Sequence, residues 1–289
     1  MPAKKTTRFR ELLAQEGIIV LPGAFDAFSA RLIQQKGFPA VYMSGSGTAA
    51  ALLGLPDVGL ITMTEMVFNA RAIARAVEIP VICDADTGYG NALNVVRCVQ
   101  EFEQAGVAGI QIEDQVFPKK CGHMEGKQVI TKEEMVRKIK AALEARKDPN
   151  FVIIARTDAR SVLGLGEAIS RCQAYLEAGA DIIFPEALQS REELALVARE
   201  VPGPLVANMT EGGKTPLLTA AELAAMGYKI ALFPSATLRV AHKAMADFLK
   251  DLKETGTQIG WLDRMQSRQD LYDLVGLPKV NELEARYGI

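Results

Sequence analysis

The ten residues Pro118-Lys-Lys-Cys-Gly-His-Met-Glu-Gly-Lys127 hold one of the chain's four cysteines and one of its two histidines, among three lysines and two glycines. A thiol surrounded by cations has its thiolate stabilised, which makes it a better proton-transfer group or nucleophile. Glycines let backbone approach a ligand and let a loop change shape. The same composition also describes a solvated basic loop in which Cys121 is incidental, and the stretch alone does not separate the two. Carboxylates are the second signal. Asp84 and Asp86 are two apart and share a face if both are in strand register. Glu113 adds a third acid and Asp57 a possible fourth. Acids gathered in one place repel unless a cation neutralises them, and hard oxygen ligands suit Mg²⁺ or Mn²⁺ rather than zinc. The competing reading is that they cap helices or pair with Arg156. Arg156 offers a bidentate fork for a substrate carboxylate. Ser44, Gly45 and Ser46 offer backbone N–H groups to another anionic oxygen, or form a plain turn.

Something must bring these scattered groups together. Eight short apolar runs punctuate the chain: Ile18–Pro22, Ala40–Ser44, Pro80–Asp84, Gly109–Glu113, Phe151–Arg156, Asp181–Glu186, Pro204–Asn208 and Lys229–Pro234. Near-continuous apolar strands separated by helical patterns mark a parallel sheet buried on both faces. The even-numbered runs each follow a helical pattern ending in glycine, at Gly37, Gly106, Gly179 and Gly227, the residue suited to a left-handed C′ position. Prolines at 80, 149, 202 and 204 introduce three of the others. In 289 residues this predicts an α/β fold, most simply a closed (β/α)₈ barrel, with an open doubly wound sheet as the alternative. In such a barrel the ends of the strands converge on one mouth. Ser44–Ser46, Asp84–Asp86, Glu113-Asp114, Arg156, Glu186, Asn208-Met209-Thr210 and Ser235 would all meet there, with the Pro118–Lys127 loop overhanging them. Seven polar strand ends in one mouth are hard to explain as solvation alone.

Past the eighth run the chain stays helical, over Ala236–Lys253, Gln258–Gln266, Ser267–Leu274 and Val280–Tyr287. Residues 1–289 therefore read as one barrel domain, with 236–289 a C-terminal helical extension. A barrel needs one helix there, so the surplus packs at a subunit interface or on the chain's own barrel. The net charge of −2 and the absence of a basic stripe argue against nucleic acid. The apolar runs are too short to span a bilayer, so no membrane role is expected. No apolar stretch follows the basic N-terminus, so no secretory signal is expected. Four scattered cysteines fit a reducing cytoplasm rather than a disulfide framework. Neither GxGxxG after a strand nor GxxxxGK[ST] occurs, which weighs against dinucleotide and P-loop chemistry.

The motifs Ser-Gly-Ser-Gly, Asp-Ala-Asp-Thr-Gly-Tyr-Gly-Asn, Ile-Glu-Asp-Gln, Lys-Lys-Cys-Gly-His, Ala-Arg-Thr-Asp-Ala and Phe-Pro-Glu-Ala follow one another along the chain. In that order they resemble the isocitrate lyase and phosphoenolpyruvate mutase superfamily, nearly end to end. The resemblance implies a (β/α)₈ barrel that exchanges a C-terminal helix between subunits, as a homotetramer of paired dimers. It implies Mg²⁺ (or Mn²⁺) on Asp84 and Asp86, with Glu113 and Asp57 acting through water. It places Ser44, Gly45 and Ser46 on a 2-oxo-acid carboxylate and Cys121 and Gly122 over the substrate. Arg156, Glu186, Asn208, Met209 and Thr210 complete the pocket.

Arg239 and Arg268 match two late arginines that methylisocitrate lyases set against the succinyl half of their substrate. Phe184 stands where true isocitrate lyases carry tryptophan. The residues after His123 look more like 2,3-dimethylmalate lyase and carboxyphosphonoenolpyruvate mutase. The implied activity is Mg²⁺-dependent cleavage of a di- or tricarboxylic acid, 2-methylisocitrate, to pyruvate and succinate. Dimethylmalate cleavage, oxaloacetate hydrolysis, a phosphonate mutase, and a non-catalytic 2-oxo-acid-binding oligomer are the alternatives. Within the implied mechanism Tyr42 or a metal-linked group is the base. His123 stabilises the developing carbanion, and Cys121, made more acidic by its lysines, returns the proton.

Overall fold

Strands that are apolar on both faces need cover on both, and a closed barrel supplies it: side chains fill the inside and helices cover the outside. The computed structural model describes residues 3–289; Met1 and Pro2, which open the basic N-terminal stretch, lie outside the described residues. All eight runs are strands: β1 Ile19–Ala24, β2 Val41–Met43, β3 Val81–Asp84, β4 Gly109–Glu113, β5 Val152–Thr157, β6 Ile182–Pro185, β7 Val206–Asn208 and β8 Ile230–Phe233. They pair in parallel in the order β6-β5-β4-β3-β2-β1-β8-β7. The remaining seam, β6 to β7, is closed by one bridge between Ile183 and Leu205, where the Ile183 amide donates to the Pro204 carbonyl at 3.0 Å. Pro202 and Pro204 lack amide donors, which leaves this stretch little to build a ladder with.

The helices up to the end of the barrel are α1 Lys5–Ala14, α2 Ala27–Gln35, α3 Gly45–Thr48, α4 Met63–Ala76, α5 Ala92–Ala105, α6 Lys132–Ala145, α7 Arg160–Leu163, α8 Leu165–Glu177, α9 Arg191–Glu200, α10 Ala220–Ala225 and α11 Ala236–Thr255. A short π-helical turn, Ala49–Leu53, follows α3. Side chains of Asp26, Thr62, Asn91, Thr131, Ser190 and Thr219 accept backbone N–H groups at six helix starts, each cap worth about 1 kcal/mol. Gly37, Gly106, Gly179 and Gly227 all have positive φ where a helix turns into the next strand, as the spacing predicted.

Alternation along each strand sorts the core in two. Tyr42, Ile82, Ile154, Phe184, Val206 and Leu232 point inward. Val41, Met43, Val81, Cys83, Ile110 and Ile153 point outward against the helices. Phe9 of α1 plugs the lower end, fully buried within the inner group. The sequence reading had no helix there. Each such large apolar side chain contributes about 1.5–3 kcal/mol by its burial.

Beyond α11, the expected Gln258–Gln266 helix is a 3₁₀ turn, Ile259–Arg264, whose Trp261 packs edge-on to Phe248. The last two helices are α12 Arg268–Val275 and α13 Leu277–Tyr287, separated by Gly276 alone. Pro278 sits in the first turn of α13, where its missing N–H is no loss. The surplus divides. α12 packs on the chain's own barrel, with Arg31 Nη1 donating to the Leu274 carbonyl at 2.8 Å. α11 buries no residue and leaves Val240, Met245 and Leu249 exposed. No described helix is long and apolar enough to cross a membrane.

Candidate active site

The C-terminal ends of the strands do converge. They enclose a cavity of about 60 Å³ lined by Tyr42, Ser44, Ser46, Asp57 and Asp84 on one side. Lys119, Cys121, Gly122 and His123 cover it from above. Arg156, Phe184, Glu186, Asn208, Thr210, Leu232, Pro234 and Ser235 complete the wall. A larger open cleft of about 700 Å³ lies at the opposite end of the barrel, beside Lys5, Arg75 and Lys147. Size does not mark the chemistry here; the convergence of buried charge does.

β3 ends at Asp84, and Asp86 lies beyond it with φ of 46°. Strand register therefore does not place the two acids together, contrary to the sequence argument. A turn does so instead: the Gly88 amide donates to the Ala85 carbonyl, and the Asp86 amide donates to Asp84 Oδ1 at 3.0 Å. A left-handed aspartate is uncommon, and Tyr89 in the same loop also has positive φ, so the backbone is held in costly conformations around these acids. Gly45 permits the approach of α3. A Cβ there would stand 2.6 Å from Asp84 Oδ2. Ser44 caps α3 by accepting from the Gly47 amide at 3.1 Å, and its hydroxyl lies 3.1 Å from that of Ser46. The serine pair is thus an ordered helix start and not a loose turn.

Lys119 reaches down from the overhanging loop, pairing with Asp57 and, at 2.9 Å, with Asp86. Burial disfavours its ammonium, but Asp86, Asp57, Glu113 and Asp84 outweigh that and hold it protonated. Burial raises the carboxyl of Asp84, and that of Asp86 to about 6; Lys119 opposes both shifts. Burial also pushes Glu113 well up, against the pull of Arg156. Asp86 Oδ2 and Glu113 Oε1 are buried without a hydrogen-bond partner among the described residues. Such orphaned oxygens beside Asp84 fit a hard divalent cation. Among the described residues no three acid, imidazole or thiol groups enclose an ion by themselves.

Arg156 does not present a free fork. Its Nε and Nη2 meet Asp158 at 2.9 and 3.2 Å, its Nη1 meets Glu186 at 3.0 Å, and Glu113 Oε2 lies 3.3 Å from Nε. Its guanidinium also lies over the Phe184 ring, 5.1 Å from the centroid. The bidentate edge is committed to Asp158, so Arg156 serves the cavity as a fixed positive charge. In the sequence Asp158 stood only within the Ala-Arg-Thr-Asp-Ala run that ends the fifth strand, with no role as a partner of Arg156. Glu186 accepts from Asn208 Nδ2 at 3.0 Å, and its carboxyl is held low because Arg156 and His123 outweigh the cost of burial.

His123 Nδ1 accepts from the Lys214 amide at 3.0 Å. That assigns the proton of the neutral ring to Nε2, which stands 3.3 Å from Glu186 Oε1. Cys121 is half-buried, and burial raises its thiol above the ordinary value. The lysines do not make it more acidic, because Lys119 and Lys127 are turned away toward aspartates. Tyr42 donates to Gln111 Oε1 at 2.8 Å, and burial followed by the nearby Asp84 charge pushes its phenol well up. It is set up as a donor, and the role of resting base does not suit it.

Six expected residues do not line the cavity, Gly45 at the start of α3 among them. Met209 is buried in the outer core, its sulfur accepting from the Leu218 amide. Asp86 and Glu113 are buried too, but beside the acids that line the cavity. Arg239 lies on α11 and donates to the Glu211 carbonyl at 2.7 Å, and Arg268 is exposed at the start of α12.

The phosphoenolpyruvate phosphomutase family model matches residues 9–253. Over 280 residues, 97% of each chain, the sequence is 54% identical to 2,3-dimethylmalate lyase of Eubacterium barkeri. It is 51% identical to 2-methylisocitrate lyase of Aeropyrum pernix over 92% of this chain and 86% of that one. A crystal structure of 2,3-dimethylmalate lyase superposes with a TM-score of 0.93 at 39% identity, covering 100% of this chain and 97% of the other. Phosphonopyruvate hydrolase in complex with oxalate and Mg²⁺ gives 0.90 at 32% identity, covering 99% and 100%. The chain belongs to the phosphoenolpyruvate phosphomutase family, within the isocitrate lyase superfamily, and is an enzyme of its oxo-acid lyase kind.

Proposed function

We propose that the protein is a Mg²⁺-dependent carbon–carbon lyase that cleaves 2-methylisocitrate to pyruvate and succinate. The observation that carries the reading is the cover: Cys121 and His123 line the same cavity as Asp84 and Arg156. Asp84 and Asp86 would hold the metal, with Glu113 and Asp57 behind it. Bound there, the ion would polarise the substrate's 2-hydroxyl and carboxylate. The oxalate and Mg²⁺ in phosphonopyruvate hydrolase support that choice.

The chain's own residues then divide the work. Ser44 and Ser46 receive the carboxylate of the pyruvate half. The Nε2–H of His123 and the amide and hydroxyl of Asn208 and Thr210 stabilise charge developing on the departing half. A carboxylate at the mouth would take the 2-hydroxyl proton as the carbon–carbon bond breaks and the hydroxyl carbon becomes the ketone of pyruvate, and Cys121 hands its proton to the carbanion left on the other half. A thiol raised by burial stays protonated at neutral pH, which is the form a donor needs. A free thiol near pKa 8.5 is far more acidic than such a carbon acid, so the transfer is downhill. Opening of the cover would admit the acid, and its closure would shut water out before the bond breaks.

A second reading, cleavage of 2,3-dimethylmalate to pyruvate and propionate, has one specific support. Arg239 and Arg268, the expected partners of a third carboxylate, do not reach the cavity. Assaying both acids with Mg²⁺ decides between them. Pyruvate and succinate in equal amounts support the first reading. A kcat/KM tenfold higher for dimethylmalate replaces it with the second. For assembly, the exposed apolar face of α11 supports exchange of the C-terminal helices between subunits of a homotetramer. Sedimentation at the monomer mass would overturn that.

A further inference from the structure

Several groups fasten the cover over the site, and one buried side chain ties down the peptide next to the thiol. Lys127 closes the Pro118–Lys127 loop, and its side chain is 1% exposed. Its ammonium donates backward to the carbonyl of Gly122, next to Cys121, and at 2.6 Å to Asp158 Oδ1 on the barrel. Asp158 is the same carboxylate that grips Arg156. The loop is pressed hard against that arginine, since a Cβ at Gly122 would collide with Arg156 Nη2 and crowd the Glu186 carboxylate. The other groups on the loop do not do this job. Lys119 is spent on the acids of the mouth, and Lys120 turns out toward the Glu125 carbonyl. His123 and Glu125 are held by Lys214, which belongs to a second loop and not to the barrel wall.

We propose that Lys127 is a positioning residue for the proton donor. Its ammonium joins the Gly122 carbonyl to Asp158, so the Cys121–Gly122 peptide is docked on the same charge array that fixes Arg156. A buried ammonium shared between a carboxylate and a carbonyl is a strong, directional tie. Its loss frees the loop end while leaving Arg156 paired with Asp158, Glu113 and Glu186. The cover then samples open states and Cys121 loses its fixed place.

The test uses the full-length protein and iodoacetamide, with mass-spectrometric mapping of each cysteine. Cys83, Cys98 and Cys172 are buried and act as internal reporters of global unfolding. In Lys127→Met, alkylation of Cys121 at pH 8 should rise about tenfold over the unsubstituted protein, with the other three cysteines still protected. Lys127→Gln, which keeps a neutral donor, should give an intermediate rate. An unchanged Cys121 rate in Lys127→Met overturns the proposal. So does a parallel rise at all four cysteines, because Lys127 would then support the fold at large. A kinetic arm rests on the lyase reading: kcat should fall more than KM rises, since the donor and not the substrate contacts is displaced. If neither acid is turned over, that reading fails while the alkylation result still judges the tie.

Discussion

Glu113 and Asp114 are adjacent in sequence, both fully buried, and opposite in their circumstances. Asp114 faces outward and is satisfied four ways: by the Thr157 hydroxyl at 2.7 Å, the Asp158 amide at 2.9 Å, the Tyr175 hydroxyl at 2.8 Å and Arg171 Nη1 at 3.0 Å. Glu113 faces inward, shares a crowded arginine at 3.3 Å, and leaves one oxygen without a partner. One step along a strand separates a carboxylate that fastens β4 to β5 and α8 from one that waits for something else. Burial and charge alone do not distinguish structure from function. Completeness of partnering does.

That contrast can be broken most severely at the inward side. Cys121→Ser should lower turnover by at least about 1,000-fold, because a serine hydroxyl is a far weaker acid, while product binding and thermal stability stay near the unsubstituted values. Turnover that survives the change would remove Cys121 from the mechanism. Asp84→Ala should abolish metal-dependent activity and cost little stability, because it relieves the crowding of like charges around Asp86. Activity with added Mg²⁺ that persists would put the metal elsewhere.

Asp114→Ala should do the reverse. It takes one of two carboxylates from the buried Arg171, which keeps Glu167, and should cost roughly 3 kcal/mol, read as a lowered urea midpoint. An unchanged midpoint would make the four-way partnering ornamental. The smallest effect concerns Glu186. Its carboxyl is held below the unfolded value of about 4.3, so its contribution is complete above that pH and is lost as pH falls through the lower folded value. Urea midpoints of the metal-free protein should decline over that window, less steeply in Glu186→Gln. Equal slopes would mean that Arg156 and His123 do not favour the ionised form.

The barrel was legible because eight doubly buried strands leave eight apolar runs, and because helices that turn straight into strands need glycine at the turn. α1 was missed: its few apolar residues, Phe9, Leu12 and Leu13, make sense only as a plug for a barrel already drawn. Strand ends showed which residues reach the mouth, yet not which way the charges resolve. Lys119 and Lys127 counted equally as cations around Cys121. Only the fold reveals that each is consumed by an aspartate from a different loop or strand. Met209 fell among true mouth residues because strand alternation ceases at Asn208, where β7 ends.

The seam between β6 and β7 gives the barrel a preferred place to yield. Seven neighbouring pairs are zipped by ladders, whereas here one bridge holds the hoop shut. Just above it Asn208 and Glu186 join hands across the gap at 3.0 Å, one from each bank. A ligand touching both residues would act as a suture. Amides along the slit, Ile183 foremost, should then exchange with solvent soonest in the empty protein and slow the most on ligand binding. Asn208, proposed above to stabilise the departing half, and Glu186 facing it would thus also report, in the backbone, that the site is full.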